Sequence, residues 1–397
     1  MKTSVANIAR FNKPYLENTV ALKYALMDQN MYAFFRGTCH LFYEKLGKEK
    51  KLPFSPAVWV CGDLHMENFG SYKGDNRLVY FDLNDFDEAV LAPASWELIR
   101  FVSCIFVAFQ SLKIERKKAL NMAKLYLKVY SDTLAKGKSF YIEPQTAQGI
   151  VCDFLTAVSK RRQKDLLKSI TRKKGKKRTL LTDEKHLVID KQEKKELCRH
   201  MDEWVMTNSG RPYNYEVLDV VFRVAGLGSL GLKRYLFLLG STNIKEKYLL
   251  IDVKQSRPSA LKPPHITQPA WKNESERIIA IQDRMQNISP FLLSTTTIKG
   301  DTFVIQELQP TKDSINFNLI KDRYRDIYQV ISDMALLTAS AQLRSSGRQD
   351  SASADELISF GQSTTWQEDI LRYAIKYADL IKEDYRAFKE SYRQKQL

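Results

Sequence analysis

The chain of 397 residues, 44% hydrophobic and 11% aromatic, has the make-up of a globular protein with a large core, which excludes general disorder. Its length suggests about two domains or lobes, and its formal net charge of +16 raises the question of a polyanionic partner. That charge is local: residues 160–178 hold eleven basic side chains against Asp165 alone, a segment of +10, leaving only +6 for the rest of the chain.

The first twenty residues are polar, and no run of about 18 apolar residues occurs anywhere, so neither a membrane partner nor a membrane span is expected and a cytoplasmic protein fits best. Residues 18–46 carry helical spacing, with Gly47 just past the end. A β-type run at 57–61 opens onto Gly62-Asp63-Leu64-His65-Met66-Glu67-Asn68, and a second strand at 78–83 delivers Asp82, Asn84, Asp85, Asp87 and Glu88. Helical pattern returns at 95–136, and the basic segment follows. Three β-rich runs at 216–225, 234–239 and 248–254 predict an antiparallel sheet, joined by a helix over 273–287 and strands at 291–297 and 302–308. From 315 to 392 the pattern is mainly helical, with a polar break at 345–354. The division expected is a helical catalytic part over 1–150, a basic helical insertion over 151–210, a small β-rich nucleotide-binding lobe over 211–312 and completing helices over 313–397. Cys39, Cys61, Cys104, Cys152 and Cys198 are scattered and form no CxxC pair, so free, mostly buried thiols are expected rather than disulfides or zinc.

Phosphoryl transfer needs a carboxylate to position or deprotonate the acceptor hydroxyl, and an amide and a second carboxylate to hold magnesium on the nucleotide phosphates. Asp63, Asn68 and Asp82 offer those groups in that order, with Asp85 the second choice for the metal. Asp87 and Glu88 read as a solvated turn. His65 lacks a second histidine at ligand spacing and reads as a loop-shaping residue. Further on, Gly226-Leu227-Gly228-Ser229-Leu230-Gly231 lies between two expected strands. A dinucleotide fold would need a helix directly after those glycines, although Asp252 does sit where a ribose-binding acid would. Strand, glycine loop and strand instead match a phosphate-covering loop, which makes Gly226, Gly228, Ser229 and Gly231 nucleotide-binding candidates and Lys254 the phosphate-binding lysine. Glu276, slightly ahead of Glu274, is the expected partner of that lysine. The strand reaching Glu307 would lead into a hinge that binds adenine.

At these residues the chain resembles the bacterial domain-of-unknown-function 2252 family. The resemblance rests on Phe35-Arg36-Gly37-Thr38, on the Cys61–Gly70 and Phe81–Glu88 blocks, and on Gly226–Gly231 with Val253-Lys254. It is also similar to the aminoglycoside phosphotransferase branch of the kinase-like superfamily, with the order of the two constellations reversed. The resemblance implies an α+β, two-lobe, circularly permuted kinase-like fold that uses ATP and magnesium. Glu97 would brace the catalytic loop, and Gln342 stands where family members often carry histidine. The expected function is therefore a phosphotransferase of unknown small-molecule or protein acceptor. The alternatives are AMP transfer, an inactive kinase-like binding protein, or a nucleic-acid-binding protein using residues 160–178. That segment contains no aromatic residue on which a base could stack.

Overall fold

A computed structural model describes residues 3–175, 177–207, 214–244 and 247–397. Lys176 of the basic segment, and residues 208–213 and 245–246, lie outside the described residues. The chain begins with α1 (Thr3–Asn12), which packs on the C-terminal helix described below. The single helix expected over 18–46 is three: α2 (Glu17–Gln29), α3 (Met31–Gly37) and α4 (Cys39–Leu46). Asn30 is extended, at φ −160°, and its carboxamide oxygen accepts the Ala33 N–H at 2.8 Å, so it ends one helix and caps the next.

Strand β1 (Ala57–Val60) leads to β2 (Phe69–Lys73), β3 (Val79–Leu83) and β4 (Val90–Pro93). β1 pairs antiparallel with β4, and β2 with β3, so the Asp63 and Asp85 loops emerge side by side from two adjoining ribbons. The helical pattern over 95–136 is split into α5 (Ala94–Ser111) and α6 (Arg116–Ala135), with Lys113 at φ +61° between them. α5 is buried on nearly every face, as its run of apolar residues requires.

Next come α7 (Gly149–Ser159), α8 (Gln163–Ile170), the hairpin β5 (Thr171–Lys174) and β6 (Lys177–Leu180), β7 (His186–Leu187) and α9 (Lys191–Thr207). The basic segment is thus a short helix followed by a hairpin, not a helical insertion throughout. β8 (Tyr215–Arg223), β9 (Arg234–Ser241), β10 (Tyr248–Gln255), α10 (Glu274–Met285), β11 (Ser294–Ile298) and β12 (Asp301–Glu307) complete a six-stranded antiparallel sheet in the order β11-β12-β10-β9-β8-β7. Side chains alternate across it. Phe237 and Leu239 join Leu197 and Met201 of α9 on one face, whereas Leu236 and Leu238 meet Leu167 of α8 and Leu180 of β6 on the other.

β13 (Asp313–Ser314), which pairs with β2, leads into α11 (Phe317–Ile320), α12 (Tyr324–Ser345), α13 (Ala354–Gln362) and α14 (Trp366–Arg393). The largest core draws on both ends of the chain, from Ile8 and Phe34 through α5 and α6 to Val330 in α12 and Phe388 in α14. The fold is α+β. All five cysteines are free; Cys39, Cys61 and Cys104 are buried, while Cys152 and Cys198 are half-buried. No described helix is long and apolar enough to cross a membrane.

Candidate functional site

The Asp63 loop is fixed before any ligand is considered. Gly62 sits at φ +87°, and a Cβ there would collide with the Glu88 carbonyl, so only glycine lets this turn fold against the acidic block. Glu97, in the first turn of α5, accepts the Cys61 and Gly62 N–H groups through Oε1 at 2.7 and 3.3 Å. Its Oε2 accepts from Gln342 Nε2 at 3.0 Å, so Gln342 holds the brace itself. Burial raises the Glu97 carboxyl.

Asp63 Oδ1 accepts from Arg100 Nε at 3.2 Å and Nη2 at 2.6 Å, and that guanidinium is fully buried. Burial pushes the Asp63 carboxyl up and Arg100 opposes it. Asn68, in the short turn Met66–Asn68, donates its Nδ2 to the Asp63 carbonyl, which fixes the orientation of its amide. His65 accepts the Glu67 N–H at Nδ1 (3.2 Å) and Arg36 Nε at Nε2 (3.4 Å), the contacts of a loop-shaping residue. Burial, then Arg36, holds it well below the ordinary histidine range.

A cleft of about 320 Å³ brings Asn68, Asp85 and Asp87 to Gly226, Ser229 and Lys254, with Glu307 at another part of the wall. These residues come from positions far apart in the chain. Lys254 Nζ ion-pairs with Asp87 and lies 3.6 Å from Asp85 Oδ1. Burial opposes charge on this ammonium, but Asp85 and Asp87 outweigh it and its pKa rises above the ordinary lysine value. Burial likewise opposes charge on Asp85, where Lys254 and then Lys312 prevail and the carboxyl falls below its ordinary range.

Several expectations need correction. Asp82, the first choice for metal, is 2% exposed and does not line the cleft: it is still within β3, where Oδ1 accepts the Leu83 N–H at 2.9 Å and Oδ2 meets Arg344 at 3.2 Å. Asp85 lies beyond the strand end, where the chain turns into the cleft. Glu276 is 3.7 Å from the exposed Lys272 and outside the cleft, so the acidic block and not α10 supplies the counter-charge of Lys254. Asp87 and Glu88 are no solvated turn; Glu88 is 3% exposed and accepts from Arg257 at 2.8 Å and Ser259 at 3.1 Å. Gly231 also lies outside, its carbonyl accepting the Leu16 N–H at 2.9 Å. Gly228 and Asp63 are likewise not among the cleft's lining residues; a Cβ on Gly228 would be 3.9 Å from Asp63 Oδ2, beside the cleft residues Asn68, Gly226 and Ser229 in sequence.

Three cleft cations carry no motif. Asp252 binds Arg223 Nη1 at 2.8 Å and Arg234 Nη2 at 2.5 Å, and these two guanidinium groups hold its carboxyl far below the usual range against the effect of burial. Arg234 also donates to the Ala225 carbonyl at 3.1 Å, propping the glycine loop. Asp252 is thus a strut beneath that loop. Lys312, half-buried and donating to Gln306 Oε1 at 3.3 Å, is pushed down to about 8 by desolvation and by Arg234. Nothing in its local sequence marks it, because it reaches the cleft only after the chain has left β12.

No group of three or more histidine, cysteine or acidic side chains fit to hold a metal occurs among the described residues. Magnesium does not require one, since it is commonly held by one or two protein oxygens together with phosphate and water. Asn68 and Asp85 are oxygen donors in one cleft, and they fit that requirement.

A profile described as "Uncharacterized protein conserved in bacteria (DUF2252)" matches residues 15–391. No curated protein and no solved structure matches the chain.

Proposed function

The chain belongs to this bacterial family, and from that premise and the geometry of its cleft we propose that it is an ATP- and magnesium-dependent phosphotransferase. Its fold is kinase-like, with the residues around 211–312 forming the nucleotide-covering lobe and the two ends of the chain forming the catalytic one, in permuted order. The observation that carries this reading is the meeting of Lys254 and the 226–229 loop with Asn68 and Asp85 in one cleft. Backbone amides of a glycine loop approach phosphate oxygens closely, and a lysine beside them neutralises their charge.

Lys254, released from Asp87 and Asp85 by a nucleotide, moves its charge to phosphate. Asn68 and Asp85 would hold magnesium, which screens the phosphates when bound. Asp63 orients the acceptor hydroxyl and takes its proton, and Arg100 keeps the carboxylate aimed. The strand ending at Glu307 and the residues to Gln309 form the wall for the base.

Calorimetric titration with magnesium and ATP tests the reading directly: binding is expected, and its absence from folded protein would sink it. Lys254→Ala should weaken that binding by about tenfold or more. Asp63→Asn is a milder probe than alanine: either change leaves buried Arg100 without its counter-charge, which costs roughly 3–5 kcal/mol for a broken buried pair, but asparagine still accepts a hydrogen bond from it. Folded Asp63→Asn protein should keep ATP binding and lose about 100-fold or more in turnover. Label placed on the α- and γ-phosphates separates phosphoryl from AMP transfer.

A further inference from the structure

A second cavity, of about 560 Å³, lies beside the first, enclosed by the end of α2, by α3, by the end of α5 and by residues 313–318. The two cavities share Arg36 and Glu67, whose side chains meet at 2.7 Å, and Glu67 belongs to the same turn as Asn68. Leu227, from the glycine loop, forms another part of its wall. It is therefore bounded by both structures that would handle the transferred phosphate.

We propose that this cavity holds the phosphoryl acceptor, and that the acceptor is a hydroxyl-bearing small molecule without net negative charge. The inference rests on the phosphotransferase reading of the neighbouring cleft. A volume of this order suits a small ligand. The charge of the wall decides the class. Among the described lining residues Arg36 is the one cation, and it is committed to Glu67 and, through Nε, to His65 at 3.4 Å. The other charged lining residue, Asp313, is paired at 2.6 Å with Arg161, which does not line the cavity. An anionic acceptor would meet two carboxylates and no uncommitted cation. The neighbouring cleft differs in one cation: beside the shared Arg36 and Glu67 its wall holds Arg223, Arg234 and Lys254, paired with Asp252, Asp87 and Asp85, and also Glu307, but Lys312 has no carboxylate in ion-pair contact among the described residues.

What the second cavity does offer is neutral hydrogen bonding, from Gln29, Asn30, Ser111 and Asn316, beside an apolar surface that includes Leu26 and Phe317. Those are groups for hydroxyls on a partly apolar body. In the transfer, the acceptor hydroxyl oxygen bonds to the γ-phosphorus of ATP while the bond from that phosphorus to the β,γ-bridging oxygen breaks. ADP leaves with that electron pair, and the hydroxyl proton passes to Asp63.

The test uses the full-length protein with magnesium and γ-labelled ATP. A bacterial small-molecule extract, below about 1 kDa, is first separated by ion exchange into anionic and non-anionic pools. Label should enter acceptors of the non-anionic pool. Ala33→Trp, which fills the cavity, should cut that transfer by about tenfold or more, with the ATP dissociation constant within about twofold of wild type. Should the tryptophan variant not fold, Asn318→Lys adds a cation at the exposed rim and should lower transfer to the same pool with ATP binding unchanged. Transfer only to the anionic pool, transfer unaffected by a folded variant, or no transfer by protein that binds magnesium-ATP would each overturn the proposal. Absence of ATP binding would instead remove the cleft reading beneath it.

Discussion

Lys23, on α2, is 1% exposed and donates to Asn12 Oδ1 at 3.0 Å, with no carboxylate in ion-pair contact among the described residues. Burial, then Arg257, pushes its pKa down to about 7. An unfolded chain gives lysine about 10.4, so between those values the unfolded state binds a proton that the folded state does not. Stability must therefore rise with pH across that window, and below it the folded protein pays for a buried charge on the order of 4 kcal/mol. Lys23→Met should be more stable than wild type at pH 7 by about 2 kcal/mol or more, with the gap closing towards pH 10. Denaturant unfolding at the two pH values measures this. A methionine variant less stable at pH 7 would mean that the folded state stabilises charged Lys23. At this scale the sequence is unevenly legible. Asp63 and Asn68 are readable because their chemistry and spacing are local, whereas the choice of Asp85 over Asp82 depends on a tertiary contact: Asp82 is turned to Arg344 of α12, 262 residues away.

Among elements, the glycine loop was readable as strand, turn and strand, because its glycines interrupt two β-branched and aromatic runs. What its sequence does not contain is its anchor. Gly231 is at φ +107°, and a Cβ there would stand 2.8 Å from Tyr15 Cβ, so the loop is seated on the segment between α1 and α2. Gly228 meets nothing closer than Asp63 Oδ2 at 3.9 Å and has no left-handed backbone. Gly231→Ala should cost about 1–3 kcal/mol, from backbone strain and the clash together. Gly228→Ala should stay within about 0.5 kcal/mol of wild type. Equal losses in thermal unfolding would show that the loop is not held through Tyr15. The helix over 18–46 was misread for the same kind of reason: its apolar spacing continues through Asn30 and Thr38, and only the capping bond at Ala33 and the Thr38 Oγ1 bond to the Phe34 carbonyl, 2.7 Å, reveal the breaks.

Over the whole molecule, composition located the excess charge but not its form. Lys160, Lys164, Lys168 and Arg172 are all exposed, on α8, the turn before it and the hairpin after it, and outside the Asp85–Lys254 cleft. Replacing these four with glutamine should leave stability within about 0.5 kcal/mol of wild type. The assembly of the core from both ends was less legible, since helical periodicity states that a face is apolar and not which face it meets. Phe388, near the end of α14, is fully buried, with its ring 5.3 Å from Phe34 and 5.9 Å from Tyr24, so more than 350 residues of chain separate partners in one cluster. A peripheral C-terminal helix would lose little on truncating such a ring. Here the cavity would open in the core that also carries α5, and α5 holds Glu97 and Arg100 against the Asp63 loop. Phe388→Ala should therefore cost about 3–5 kcal/mol in denaturant unfolding, and a loss below about 1 kcal/mol would show that α14 is not part of the core that supports the site.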